Sequence, residues 1–183
     1  LSLVLAMSWN ALPKHRGDLT VAQFSENYNR YFRYQGLSSF DQLDAAGNWV
    51  EPYAPNTVVV EMEEIPLPEL QFEEKDGVMT GVSFSIILEG EEAETEVPSF
   101  QTVREGLLYS FAAAQRETGL FAGEIHSVLE KMEKEPFLSF KEQVSGVSVS
   151  CQISYNGYTP TDYVLVPEKG KACQFEMKFS MTK

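Results

Sequence analysis

The stretch PELQFEEKDGVMTGVSFS, residues 68–85, has a counterpart in PFLSFKEQVSGVSVS, residues 136–150. Each starts with a proline, has Leu, Phe and Glu at the second, fourth and sixth positions after it, and continues beyond a turn as Gly-Val-Ser-x-Ser. A capping-box sequence precedes each stretch, TVAQ at residues 20–23 and TVRE at residues 102–105. The sequence therefore predicts two tandem repeats, each a helix followed by an antiparallel β-meander.

The order of the predicted elements indicates the fold class. Helix, strands, helices and strands follow one another, which favours an α+β fold with helices packed on one side of antiparallel sheet. A parallel α/β fold would need helix and strand to alternate strictly. With 183 residues the chain can bury a core without metals or cross-links. We expect a first α+β repeat at residues 19–98 and a second at residues 99–183, sharing one core.

Capping signals and apolar periodicity predict three helices, at about residues 21–35, 102–118 and 122–133. The glutamates of residues 89–96 indicate a solvated edge or a connection into the second helix. A hairpin is predicted around residues 45–48, with Trp49 on the returning strand. Alternation of apolar and polar residues predicts further strands near residues 57–63, 69–74, 137–141, 147–155, 163–166 and 173–181.

The turn at Asp76-Gly77 decides which side chains of the first meander share a face. A strict two-residue turn would place Leu70 and Phe72 on the opposite face from Val82, because cross-strand partners share a face. The apolar residues belong together, so the sequence predicts a three-residue loop with Gly77 left-handed at a bulge. A two-residue turn with positive φ would contradict this assignment.

The N-terminal residues 1–12, LSLVLAMSWNAL, are almost wholly apolar and are followed by Pro13 and the basic triplet at residues 14–16. This order is typical of a chain leaving a membrane. Twelve residues are too few to span a bilayer. Residues 1–18 are therefore interpreted as membrane-proximal or derived from a signal peptide, with a core helix or strand as the alternative.

The net charge of −13 is the strongest feature of the composition. Phosphate backbones and anionic lipid surfaces repel an acidic protein. We therefore expect no nucleic-acid partner, and contact with a membrane only through a segment at or before the N-terminus.

No motif of known catalytic or cofactor chemistry is present in the sequence. It has no phosphate-binding glycine loop, no Gly-x-Ser-x-Gly elbow, no CxxC and no HExxH. His126 and Glu130 are spaced to share a helix face, but no second pair completes a metal site. The glutamates of residues 89–96 lack the pattern of a calcium loop. We predict no catalytic residue, no metal ligand and no cofactor.

Two cysteines, Cys151 and Cys173, are each predicted on the apolar face of a strand. Cys151 matches Ile86 when the repeats are aligned, which favours a role as a core residue. A disulfide is the alternative and would suit an extracytoplasmic protein. If the strand near residues 163–166 lies between them, about 9.6 Å separates the two, beyond disulfide reach. A catalytic role is the weakest interpretation, because no basic partner is near in sequence.

Three stretches carry a resemblance to a group of proteins: LPKHRGDLTVAQFSENYNRYFRYQG at residues 12–36, LDAAGNWVEP at residues 43–52 and DGVMTGVSFSI at residues 76–86. They resemble membrane-anchored extracytoplasmic proteins of anaerobic Gram-positive bacteria whose function is uncharacterised. The resemblance implies a bilayer anchor near the N-terminus and an external domain, and it brings no catalytic residues. The duplicated organisation separately looks like the tandem-repeat architecture of β-lactamase-inhibitory proteins.

These observations together predict a binding or interaction module without catalytic activity, directed at a protein or another cell-envelope partner. Tryptophan and tyrosine are the usual anchors of interfaces. The candidate contacts are aromatic residues expected to lie exposed near loops: Trp49, Tyr53, Tyr155, Tyr158 and Tyr163. Ordinary packing at hairpin ends is the alternative for them. A hydrolase with a carboxylate site in the cleft between the repeats, or an envelope protein that self-associates through a sheet edge, are the other functions left open.

Overall fold

The computed structural model describes residues 19–36, 42–50, 67–90, 93–114, 120–144, 146–161 and 164–183. The helices are α1 (Val21–Tyr34), α2 (Ala93–Ala114) and α3 (Leu120–Lys134). The strands within these ranges are β1 (Gln42–Leu43), β2 (Trp49–Val50), β3 (Glu69–Lys75), β4 (Val78–Glu89), β5 (Phe140–Val144), β6 (Val147–Asn156), β7 (Tyr158–Pro160), β8 (Leu165–Pro167) and β9 (Gln174–Thr182). None of the described helices is both long enough and apolar enough to cross a membrane.

A five-stranded antiparallel sheet in the order β3-β4-β9-β6-β5 forms one layer, and the helices form the other. Strand β9 lies at its centre, and Phe175, Met177, Phe179 and Met181 on its inner face are fully buried. Of the alternate residues, Gln174, Glu176 and Lys178 are exposed on the far face, and Ser180 and Thr182 are partly buried. Because a half-buried strand alternates in this way, the sequence identified both its position and its inner face. The predicted α+β class is confirmed.

Helix α1 begins where the sequence predicted. The Thr20 hydroxyl accepts from the Gln23 amide at 3.2 Å, and the Gln23 side chain accepts from the Thr20 amide at 2.9 Å, which completes a capping box. Helix α2, in contrast, begins at Ala93, so the predicted start at Thr102 is wrong. Phe100 is buried on the same side of α2 as Leu107, so the buried face of the helix begins before Thr102.

The turn between β3 and β4 differs from the predicted one, but the side chains of the two strands share faces as predicted. Lys75 pairs with Val78, so Asp76 and Gly77 form a two-residue turn with φ of 56° and 77°, and the predicted longer loop is wrong. The extra residue is instead Thr80, which bulges between the pairs formed by Met79 and by Gly81. This bulge restores the expected faces, and Leu70 and Phe72 lie opposite Phe84 and Val82.

The sheet does not confirm a tandem repeat. Strands β3 and β5 are the two outer strands and run in the same direction, and their hairpin partners β4 and β6 both pair with β9. Seen from the helix-covered face, β4 therefore lies on one side of β3, whereas β6 lies on the opposite side of β5. Two copies of one unit would have the same hand. Phe179 pairs with Cys151 on one side and with Phe84 on the other, so the alignment of Cys151 with Ile86 is displaced. The division into residues 19–98 and 99–183 stays a prediction.

The cysteines are free, and Cys151 is fully buried as a core residue. The strand predicted near residues 163–166 is not between them, because β8 pairs with β7 in a separate hairpin. The distance along β9 excludes a bridge instead. Cys151 lies opposite Phe179, and Cys173, just before β9, is about 20 Å from Phe179 along the strand. The predicted strand at residues 57–63 and the N-terminal segment 1–18 lie outside the described residues.

Candidate functional site

The predicted contact residues are not brought together. Trp49 lies beside β3, and Tyr155 lies on β6, three strand spacings or about 14 Å across the sheet. Tyr158 begins the separate β7–β8 hairpin. Tyr53 and Tyr163 lie outside the described residues. The three described candidates, Trp49, Tyr155 and Tyr158, therefore do not define one surface.

Two of these aromatic side chains are packed rather than exposed. The Trp49 indole is half-buried, donates from Nε1 to the Pro68 carbonyl oxygen at 2.8 Å, and meets the Tyr28 ring edge-on at 5.8 Å between centroids. Tyr158 is buried, and its hydroxyl donates to the Gly90 carbonyl oxygen. The expectation that Tyr158 is exposed is wrong, because the β7–β8 hairpin folds this ring onto the end of β4.

Tyr155 is the exposed one of the three described candidates, with 40% of its surface accessible. Its ring contacts Phe137 edge-on at 6.4 Å between centroids, and the neighbouring Leu138 is 38% exposed. Strand β5 begins only at Phe140, so Tyr155 lies on the part of β6 that extends beyond its outer partner. This end of the sheet presents a small apolar surface.

A groove lies between α3 and β5. Its volume is about 260 Å³, and it is lined from α3 by Ser127, Val128 and Lys131 and from β5 by Glu142, Gln143 and Val144. Lys131 and Glu142 form an ion pair at 2.5 Å, and the ammonium group also lies 5.5 Å from the centre of the Phe140 ring. Both members of the pair are more than one-third exposed, so water screens it and its contribution to stability is small.

Among the described strands, β5 is an edge of the main sheet. Val144 pairs with Val147 across the two-residue connection, so this is the hydrogen-bonded closing pair of the hairpin. The alternation of an antiparallel ladder then turns the backbone N–H and C=O groups of Lys141 and Gln143 outward. The Ser139 hydroxyl supports this assignment, because it accepts from the Ile153 amide at 2.9 Å and so shows that Ile153 turns its N–H towards β5. The groove therefore borders an edge with available backbone donors and acceptors.

A second group of polar residues lies where α1 meets α2. The Tyr31 hydroxyl donates to the Glu105 carboxylate at 3.2 Å, and the Tyr31 and Tyr109 rings stack at 4.6 Å between centroids. Burial raises the pKa of Glu105, and repulsion from Glu133 adds to the increase, while the Tyr31 hydrogen bond and the Arg104 charge oppose it. Burial also raises the pKa of both tyrosines. A carboxylate-pair hydrolase needs two carboxyl groups around its substrate, whereas here the Glu105 carboxyl group is bound by Tyr31 and Glu133 lies exposed.

Sequence reasoning missed a buried pair beneath α2. Arg104 is only 1% exposed, and its Nη1 lies 3.3 Å from the Cys151 Sγ. Burial raises the pKa of the Cys151 thiol, and the Arg104 guanidinium opposes that increase. The available signal was the position of Arg104 four residues after Phe100 and four before Leu108, inside an apolar stripe. A charge at such a position indicates either a buried partner or a site.

Metal chemistry finds no support in the described residues, where no three His, Cys, Asp or Glu side chains lie close enough to hold an ion. His126 and Glu130 do share a helix face, with 3.3 Å between Nε2 and Oε1 and about half of each side chain exposed. No protein family, no curated protein and no solved structure matches the chain. The resemblance to membrane-anchored proteins therefore stays a prediction.

Proposed function

We propose that the protein is an extracytoplasmic binding module that takes an extended segment of a partner protein along β5, in the groove beside α3. The observation that carries this proposal is the groove of about 260 Å³ next to an edge strand. Extended peptides bind to such edges by adding a strand, and neighbouring pockets accept their alternate side chains. The outward backbone groups of Lys141 and Gln143 supply the ladder, and α3 supplies the opposite wall.

The lining of the groove supports a segment that alternates apolar and polar residues. Val128 and Val144 offer apolar contact, and Ser127 and Gln143 offer hydrogen bonds. The net charge of −13 attracts a basic partner over a distance and accelerates its association. A basic side chain of the segment can share the Glu142 carboxylate with Lys131. We therefore infer a partner whose docking segment is extended and carries Lys or Arg.

The extracytoplasmic location and the membrane anchor are part of the same proposal. They are supported by the apolar residues 1–12 ahead of the basic residues 14–16, and by the resemblance of the first half. A protease added to intact cells checks the location, since an external domain is cleaved while a cytosolic control protein survives. Protection of the domain in intact cells would contradict the proposed location but would not bear on the proposed role of the groove.

The test of the groove is peptide selection followed by two blocking variants. Peptides selected from a displayed library for binding to the wild-type domain are measured by fluorescence anisotropy. Gln143→Pro removes an outward N–H without breaking the β5–β6 ladder. Ser127→Arg fills the groove from the exposed side of α3. We expect each change to weaken binding at least about tenfold, the loss of roughly 1.4 kcal/mol.

Gln143→Ala is the matched control, because it keeps the N–H and should bind within about twofold of wild type. All variants should keep the wild-type unfolding midpoint. Peptides that bind both blocking variants normally would place the site elsewhere. A wild-type dimer in sedimentation velocity that Gln143→Pro dissociates would show that the occupant is a second copy, against the proposed partner segment.

A further inference from the structure

Arg104 is the unusual residue of the core. It projects from the middle of α2, is 1% exposed, and is among the largest fully buried side chains. Arginine stays protonated in proteins, so this is a buried positive charge. Burying a charge without a counter-ion costs several kcal/mol, which makes the surroundings of the guanidinium informative.

The described contacts leave most of this guanidinium unsatisfied. Nη1 meets the Cys151 Sγ at 3.3 Å, a weak acceptor when the thiol is neutral. Nε and Nη2 are both buried and have no acceptor. Glu105 follows Arg104 in the chain and attracts its charge, which opposes the raised pKa of Glu105, but the carboxylate accepts from Tyr31 and makes no hydrogen bond to Nε or Nη2. Neutral groups on or after α1, Ser25 and Gln35 among them, also lack a partner, but at lower cost because they carry no charge.

The two unsatisfied nitrogens are adjacent on the guanidinium. Nε and Nη2 point their N–H groups along the same edge of the plane, and this edge matches the two oxygens of a carboxylate or phosphate. Nη1 is held by Cys151, which fixes the orientation of the plane. The arrangement leaves free an edge of the guanidinium that can bind an oxyanion through two parallel hydrogen bonds.

We propose that Arg104 binds a small oxyanion, of the carboxylate or phosphate type, through Nε and Nη2 between α2 and the sheet. The anion neutralises the buried charge and satisfies both donors, so it stabilises the folded state. Cys151 positions the guanidinium and does not take part in a reaction. This site is separate from the β5 groove, and either proposal can fail without the other.

The test is the dependence of the unfolding midpoint on the anion at constant ionic strength. Wild type is refolded in chloride, acetate, phosphate or sulfate, so that slow access to a buried site cannot hide binding. Bound ligand raises the midpoint in a saturable way, by about 5 °C or more at roughly 100-fold over the dissociation constant. Stabilisation by acetate alone would identify a carboxylate ligand, and stabilisation by phosphate and sulfate would identify a tetrahedral oxyanion.

Two methionine variants separate binding from general salt effects. Arg104→Met should lose the saturable rise and keep only the shallow stabilisation that sulfate and phosphate give to proteins in general. Arg33→Met removes the same charge from the exposed end of α1 and should respond like wild type. Equal responses of wild type and Arg104→Met would overturn the proposal.

A third variant keeps the test decisive if Arg104→Met does not fold. Arg104→Lys retains the charge but cannot form the two-pronged contact, so equilibrium dialysis should show at least about tenfold weaker binding than wild type. The absence of saturable binding to refolded wild type would also refute the site. Thiolate absorbance that disappears in Cys151→Ser would then show that the sulfur itself is the counter-ion.

Discussion

The two sides of the helical layer are built differently. Where α1 packs, aromatic rings interlock: Phe24 meets Phe72 at 5.6 Å, Tyr28 meets Phe32 at 4.7 Å, and Tyr31 stacks on Tyr109. Where α3 packs, an exposed ion pair spans a groove, and the nearby core holds the unsatisfied guanidinium of Arg104. The α1 side is filled by aromatic rings, whereas the α3 side has a groove and a buried charge without a hydrogen-bonding anion among the described residues.

Gly106 explains the close packing of the α1 side. A Cβ atom at this position would lie 2.3 Å from the Phe32 ring and 2.7 Å from the Tyr28 ring, so only glycine lets α2 approach α1 this closely. Glycine inside a helix costs about 1 kcal/mol relative to alanine, which the aromatic contacts offset. Aromatic contacts therefore fill the space between α1 and α2, and the groove that we propose as a binding site lies away from them, between α3 and β5.

The largest expected difference between the two sides is in core truncation. Phe32→Ala removes a fully buried ring from the α1 side and should cost about 3–5 kcal/mol of unfolding free energy. Val128→Ala, at the groove wall on α3, should cost about 1–2 kcal/mol, because fewer carbons are lost and the groove already admits water. Urea denaturation monitored by circular dichroism gives both values. Equal losses would mean that the α3 side is as tightly packed as the α1 side.

The sequence predicted the elements whose signals are local. Helix α1, the alternation of β9 and the face of Leu70 all follow from capping residues and period-two patterns, and each was predicted correctly. The start of α2 was missed because the glutamates of residues 89–96 leave no apolar period by which to recognise a helix. The turn at Gly77 was missed because an alternating pattern cannot distinguish a longer loop from a bulge at Thr80.

The candidate sites were not predictable from local signals. The groove exists because β5 is an edge strand that α3 covers only in part, and both facts depend on strand order. Arg104 meets Cys151 only because β6 pairs with β9 beneath α2. Trp49 was predicted as a contact residue from its place beside a hairpin, but its indole packs against Tyr28 instead.

A second prediction compares the two described aromatic candidates Trp49 and Tyr155 directly. Trp49→Ala loses the Tyr28 contact and the hydrogen bond to Pro68, and should cost about 2–3 kcal/mol. Tyr155→Ala loses an exposed ring contact with Phe137 and should cost about 1 kcal/mol or less. Thermal unfolding of both variants measures the difference. A larger loss for Tyr155→Ala would reverse the assignment of the packed and open sides.

The smallest predicted effect is on the pH dependence of stability, and it tests whether the Tyr31 hydrogen bond fully offsets the burial of the Glu105 carboxylate. Burial raises the pKa of Glu105 in the folded protein, so the folded state holds the proton more tightly than the unfolded chain does. The resulting stabilisation is present below the pKa of the unfolded chain and is lost as pH rises through the raised pKa. Glu105→Gln keeps an acceptor for the Tyr31 hydroxyl and removes the charge, so it should flatten this decline and stabilise the protein at neutral pH. Glu176→Gln, on the exposed face of β9, removes an equal charge and should leave the decline unchanged. Urea midpoints across the acid range decide between them, and an unchanged slope in Glu105→Gln would mean that Tyr31 fully stabilises the carboxylate.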